Sequence, residues 1–370
     1  MITDGLRVPT LLLDEAICKE NIQRMVGRAR RHQLRLRPHF KTHQSLDVGR
    51  WMRAEGIEAA TVSSLSMAAF FAPEWDDITV AFPFNVHELA TVNAVAKKVR
   101  LGLTVENEAA LTVLDQGLET TVRIWMKVDA GYHRTGVPVE QLDQIQALLE
   151  KAAASEKMEA AGVLIHAGHS YDVRGDRAIG EVHRQTLKAV AKLRAALSGQ
   201  FPDLEYSIGD TPCCSTMEDF EGCTEMRPGN FVFYDVTQHY IGSNKIRQVA
   251  VALACPVVAL HPDRNEVVVY GGGVHLSKDA TSNEAGEKVM GLPVSITESG
   301  WDEPWPGCRV SKLSQEHGII SVTPEVMATL SVGDWVGILP VHSCMTADLM
   351  GEYLTLGGQT IDHLNGPKFK

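Results

Sequence analysis

The chain has 370 residues, 44% hydrophobic and 22% charged, which is enough for a barrel plus a second domain with a sizeable core. Its formal net charge is −11, with acidic and basic residues mixed and no basic stripe, which excludes nucleic acid and anionic membrane surfaces as expected partners. No run approaches the roughly 18 apolar residues of a membrane span, the N-terminus lacks a signal-peptide pattern, and seven irregularly spaced cysteines form no disulfide framework, so the expected location is the cytoplasm.

The first predicted element is an amphipathic helix from Asp14 to His32, with Cys18, Ile22, Met25 and Ala29 on one face. Strand patterns then alternate with helical ones. The strands are Leu34–Phe40, Ala60–Ser63, Ile78–Ala81, Val99–Val105, Arg123–Asp129, Glu159–His166, Tyr206–Ile208 and Phe231–Tyr234. Helical stretches between them include Val86–Lys97, Glu106–Leu114, Val139–Ala154 and Arg177–Leu197. Eight strands alternating with helices predict an α/β fold with parallel pairing, and eight is the number that closes a (β/α)8 barrel. An open doubly wound sheet is the alternative on periodicity alone. Beyond residue 246 the pattern changes to short strands separated by Gly, Pro and Asp turns, with no clear helix. The expected organisation is a barrel over 9–245 and a mainly β domain over 246–370, with residues 1–8 a candidate addition to the latter.

Several strand ends carry chemically useful residues. The first ends in Arg37-Pro38-His39-Phe40-Lys41-Thr42-His43. A lysine at the C-terminal end of a barrel strand faces the mouth where such folds act, and a lysine of lowered pKa can form a Schiff base with a carbonyl cofactor. The bland reading is a surface lysine in a turn. The fifth strand ends in Lys127-Val128-Asp129-Ala130-Gly131-Tyr132-His133-Arg134-Thr135-Gly136. Here the bland reading is a solvated Lys127–Asp129 pair, whereas the glycines would let backbone approach a ligand. His166, His169 and Tyr171 fall within six residues after the sixth strand and could bond a cofactor ring or relay protons. Ser207-Ile208-Gly209-Asp210-Thr211-Pro212 and Arg227-Pro228-Gly229-Asn230 are turns of the kind that offer backbone N–H groups to a phosphate. Near the C-terminus, His342 and Cys344 stand two apart after a predicted strand, so both would face one side. A thiolate with an imidazole favours zinc over magnesium or calcium.

These motifs, in this order from Pro9 to about Thr346, resemble the D-serine dehydratase and D-threonine aldolase group of fold-type III pyridoxal-phosphate enzymes, which share an alanine-racemase-like barrel. The resemblance implies that Lys41 carries the pyridoxal 5′-phosphate and removes the Cα proton, and that Arg134 lies near the phenolic oxygen. It implies Tyr171 as a cofactor contact, His169 as a weaker catalytic candidate, and Thr211, Gly229 and Asn230 at the phosphate. It also implies a divalent metal on His342 and Cys344, zinc favoured and manganese or magnesium possible, with Gln315-Glu316-His317-Gly318 near it. The chain departs from the family pattern at Cys213, where Thr is common, and at Phe231, where Tyr is. The implied activity is a metal-dependent lyase acting on a D-3-hydroxy amino acid. It either eliminates water to give a 2-oxo acid and ammonia, or splits Cα–Cβ to give glycine and an aldehyde. The cysteine in the metal pair leans toward dehydration. A homodimer is implied by the family habit. The alternatives are an amino-acid racemase, which has no use for a metal, and a non-catalytic cofactor-binding protein.

Overall fold

The computed structural model describes Ile2–Gly366, and its contacts divide these residues into two units. One comprises Gln23–Lys41 and Met52–Gly229; the other comprises the described residues up to Ile22, Thr42–Trp51 and those from Asn230 onward.

The first unit is the barrel. Its strands are Arg35–Leu36, Ala59–Val62, Asp77–Pro83, Arg100–Val105, Val122–Asp129, Met158–Ile165, Glu205–Ile208 and Glu225–Met226, all paired in parallel with their neighbours around the sheet. The first and second strands meet through one bridge, His39 with Thr61, where the Phe40 N–H donates to the Thr61 carbonyl at 2.8 Å. Seven of the eight predicted strands overlap those observed. The eighth does not: Glu225–Met226 takes the place of Phe231–Tyr234, whose first residues lie in the 3₁₀ turn Asn230–Val232. A two-residue strand containing a glutamate has no hydrophobic period to read, and Phe231 and Phe233 are apolar because they are buried.

The interior is filled by side chains. Trp125 is completely buried, and the strands beside it carry Gly102 and Gly162. A Cβ at Gly162 would lie 2.7 Å from the indole ring, and one at Gly102 would lie 2.9 Å from its Nε1, so both positions must lack a side chain. At the N-terminal end of the strands the fully buried Arg37 guanidinium donates to Glu225 at 2.7 Å and to Asp77 at 2.5 Å, while Ser207 donates to Glu225 at 2.6 Å. This network links the first, third, seventh and eighth strands.

The second unit is mainly β. Val251–His261 pairs antiparallel with Thr10–Leu13, Glu266–Tyr270 and Trp335–Pro340, and Gly291–Thr297 pairs with Trp335–Pro340. Thr10–Leu13 therefore belongs to this sheet, and the contact division falls at Asn230 where the sequence suggested 246. The unit also contains a helix the pattern did not reveal, Ser343–Met350. No helix among the described residues is long and apolar enough to cross a membrane.

Candidate active site

A cavity of about 290 Å³ opens at the C-terminal ends of the barrel strands, lined by His39, Lys41, Lys127, Arg134, His166 and Arg227 among others. The first strand delivers His39 and Lys41, with the Lys41 N–H donating to His39 Nδ1 at 3.3 Å. The fifth delivers Lys127, the loop after it Arg134, the sixth His166, and the eighth Arg227.

Each cation is held by named contacts. Asp129 organises the Arg134 loop: its carboxylate accepts N–H bonds from Gly131, Tyr132 and His133 at 2.9–3.0 Å. Burial pushes the Asp129 carboxyl up, but those backbone donors outweigh it and hold it below the usual range. Gly131 and Gly136 both take φ of +112°, and a Cβ on Gly136 would lie 2.7 Å from the Asp129 nitrogen, so this loop requires its glycines. Arg134 then reaches over the Tyr132 ring, 5.0 Å from its centroid. Arg227 is buried and donates to Ser207 Oγ and to the Ile165 carbonyl, both at 2.7 Å. Lys127 is buried between the two arginines, and burial together with Arg227 and Arg134 lowers its pKa to about 7. The solvated Lys127–Asp129 pair is thus corrected: both residues are buried, and Asp129 binds the loop.

His166 and not His169 lines the cavity. Its Nδ1 faces the Gly209 carbonyl, which can only accept, so the neutral ring carries its proton there and keeps a lone pair on Nε2. Burial and then Lys127 hold its pKa well below the ordinary value. His169 lies in the 3₁₀ turn Gly168–Asp172 and stacks on Tyr132 at 6.2 Å, with Nδ1 buried and unbonded. The turn Gly168–Asp172 separates the two histidines, and the sequence gives no sign of it.

The predicted phosphate contacts divide. The Tyr171 hydroxyl accepts the Thr211 N–H at 3.1 Å, so these two residues are brought together beside the seventh strand. Gly229 ends the barrel unit. The Asn230 side-chain amide donates to Asp235 at 2.7 Å, Ser343 at 3.0 Å and Cys344 Sγ at 3.5 Å.

In the β unit, His342 is the N-cap residue of Ser343–Met350 and Cys344 lies in that helix's first turn. The pair approaches through a helix start, not through the alternation of a strand. His342 bonds Cys344, and its Nδ1 meets Asp279 Oδ2 at 2.7 Å. Cys344 is buried, 3.2 Å from the Thr42 hydroxyl. Burial pulls the His342 pKa down, but Cys344, Asp235 and Asp279 together raise it to about 10. Asp279, 63 positions away, carried no signal in the sequence. Gln315 donates to Glu316, and His317 pairs with Tyr270 in the adjoining strands. Among the described residues no group of three or more His, Cys, Asp or Glu side chains forms a ready metal cluster.

The alanine racemase N-terminal domain model matches residues 13–236, and a serine dehydratase domain model matches 250–356. The chain belongs to the alanine racemase N-terminal domain family. The D-threo-3-hydroxyaspartate dehydratase of Delftia sp. is 28% identical over 98% of both chains, and its solved structure superposes with a TM-score of 0.89 over 98% of each. The D-serine dehydratase of Dictyostelium discoideum is 24% identical over 95% of this chain and 93% of that one. The D-threonine aldolase of Arthrobacter is 25% identical over 92% and 86%. Solved variants of the Delftia enzyme replace a histidine and a cysteine two positions apart, and the cysteine variant is in a metal-free form. The predicted family resemblance and alanine-racemase-like fold stand.

Proposed function

We propose that the chain is a pyridoxal-phosphate- and metal-dependent lyase that eliminates water from a D-3-hydroxy amino acid, giving a 2-oxo acid and ammonia. The observation that carries this is Lys41 at the mouth of the barrel, in a cavity that Lys127, Arg134 and Arg227 also line. That donor set fits the cofactor, whose phosphate and phenolate are anionic: Lys41 would hold it covalently, Arg134 would sit at its phenolic oxygen, and Tyr171, Thr211 and the backbone at Gly229 and Asn230 would serve its phosphate end. When bound, the cofactor supplies an electron sink for charge developing at Cα.

The protein's own residues do the rest. Lys41 Nζ takes the Cα proton. The Nε2 lone pair of His166 accepts a hydrogen bond within the cavity, and the His169 ring on Tyr132 is a second candidate for holding a proton. The electrons of the broken C–H bond form the Cα–C3 double bond, and the C3 hydroxyl leaves with the C–O bonding pair and is protonated to water. The released enamine tautomerises to an imine that water hydrolyses to the 2-oxo acid and ammonia. His342 and Cys344 fit a divalent metal: Asp279 accepts a hydrogen bond from the His342 Nδ1–H and fixes the ring, and a metal would displace the protons of Nε2 and Sγ. The metal would supply Lewis-acid polarisation of the C3 hydroxyl. The thiolate favours zinc, with manganese or magnesium as alternatives. The D-threo-3-hydroxyaspartate dehydratase, whose solved variants replace a histidine and a cysteine two positions apart, supports this outcome over Cα–Cβ cleavage. The reading includes a homodimer in the cytoplasm; a monomer by gel filtration overturns the dimer.

Lys41→Ala is the test. Its kcat falls at least about 10³-fold, since both covalent attachment and proton transfer are lost, and the visible band of the bound cofactor disappears. Retention of the band and of activity would refute the assignment.

A further inference from the structure

Beside the Lys41 cavity, and sharing Ser63, Phe82 and Pro83 with it, lies a second pocket of about 270 Å³. Its walls are Leu65, Val80, Phe82, Pro83, Phe84 and Leu103, drawn from the ends of the second, third and fourth barrel strands. A bulge makes the connection. The third strand pairs Val80 with Leu103 but Pro83 with Thr104, so Ala81 and Phe82 are extra residues on that strand. Bulges of this kind re-aim side chains beside active sites. Phe82 is thereby left 64% exposed between the two pockets, the only exposed Phe, Tyr or Trp among the described residues.

The two pockets differ in charge. The Lys41 cavity is cationic, whereas the only charged residue on the second pocket is Glu88, and no lysine, arginine or histidine lines it. Of its other polar side chains, Ser63, Ser64 and Asn85, two serve as caps: Ser64 Oγ accepts the Met67 N–H and Asn85 Oδ1 accepts the His87 N–H, both at 3.2 Å. An anionic group placed here would lose part of its hydration, gain no cationic partner and face a carboxylate. An apolar group would gain by burial. A cavity of about 150 Å³ suffices for benzene, so 270 Å³ accommodates an aromatic ring.

We infer that this pocket receives the substituent on C3 of the substrate and selects an apolar, ring-sized group over a carboxylate, with Leu103, Phe82 and Glu88 setting the preference. The inference rests on the lyase reading above, and it sets this chain apart from relatives named for 3-hydroxyaspartate.

The test compares kcat/KM of the holoenzyme for D-threo-phenylserine, D-threo-3-hydroxyaspartate and D-serine, which has no C3 substituent. Phenylserine should exceed 3-hydroxyaspartate by at least about tenfold, the scale on which apolar pockets discriminate. Leu103→Phe, which fills the pocket, should lower the phenylserine to D-serine ratio about tenfold. Glu88→Lys lies near the surface, tolerates charge reversal, and should raise the 3-hydroxyaspartate to D-serine ratio several-fold. Independently of turnover, D-phenylalanine should raise the melting temperature of the holoenzyme more than D-aspartate does, and Leu103→Phe should abolish that difference. Turnover of D-serine with 3-hydroxyaspartate preferred to phenylserine, or ratios unmoved by both variants, overturns the pocket assignment alone. Turnover of none of the three removes the lyase reading and the inference with it.

Discussion

Lys127 offers a quantitative check on the cavity's electrostatics. It is buried between Arg134 and Arg227, and its pKa falls from the ordinary 10.5 to about 7. Each tenfold change in proton affinity is about 1.36 kcal/mol, so keeping Lys127 charged in the cofactor-free barrel costs on the order of 4–5 kcal/mol. The sign follows from proton counts. Between pH 7 and 10.5 the unfolded chain holds a proton on this lysine and the folded barrel does not, so stability rises with pH across that window. Below pH 7 the full cost is present; above 10.5 it is gone. Lys127→Met removes the titrating group and keeps the stem's volume. Urea unfolding of the cofactor-free proteins from pH 6 to 10.5 should show the variant more stable by several kcal/mol at pH 6 and the two converging by pH 10.5. A difference that stays constant with pH would refute the reasoning.

Two further outcomes follow from other contacts. Glu225→Gln leaves the buried Arg37 with Asp77 as its one carboxylate partner and should cost about 3 kcal/mol by denaturant unfolding, since breaking a buried ion pair is expensive. Asp279→Asn should weaken metal affinity about 10- to 100-fold in a competition titration by loosening the His342 ring, without altering the bound cofactor's absorbance.

The residues legible in the sequence are those on contiguous motifs at strand ends. Lys41 and Arg134 reach one cavity because each follows a strand of clear pattern, and parallel pairing brings all C-terminal ends to one face. What failed was decided by partners distant in the chain or by local turns. Lys127 looks exposed in a charged motif, yet its strand is buried along its whole length. His166 and His169 differ by a 3₁₀ turn that places one ring on the cavity and the other against Tyr132. The Asn230 side chain is fixed by Asp235 and Ser343, partners that the motif around it does not announce. The helix Ser343–Met350 is short, and its apolar residues show little period.

The central claim is that the chain eliminates water from a D-3-hydroxy amino acid with Lys41 as the Cα base. Its most direct test is a product assay on the pyridoxal-phosphate- and zinc-loaded protein given D-threonine. The account predicts 2-oxobutyrate and ammonia in equal amounts, lost together in Lys41→Ala. Glycine with acetaldehyde would contradict elimination in favour of Cα–Cβ cleavage, and no product at all would contradict the assignment of a D-3-hydroxy amino acid lyase.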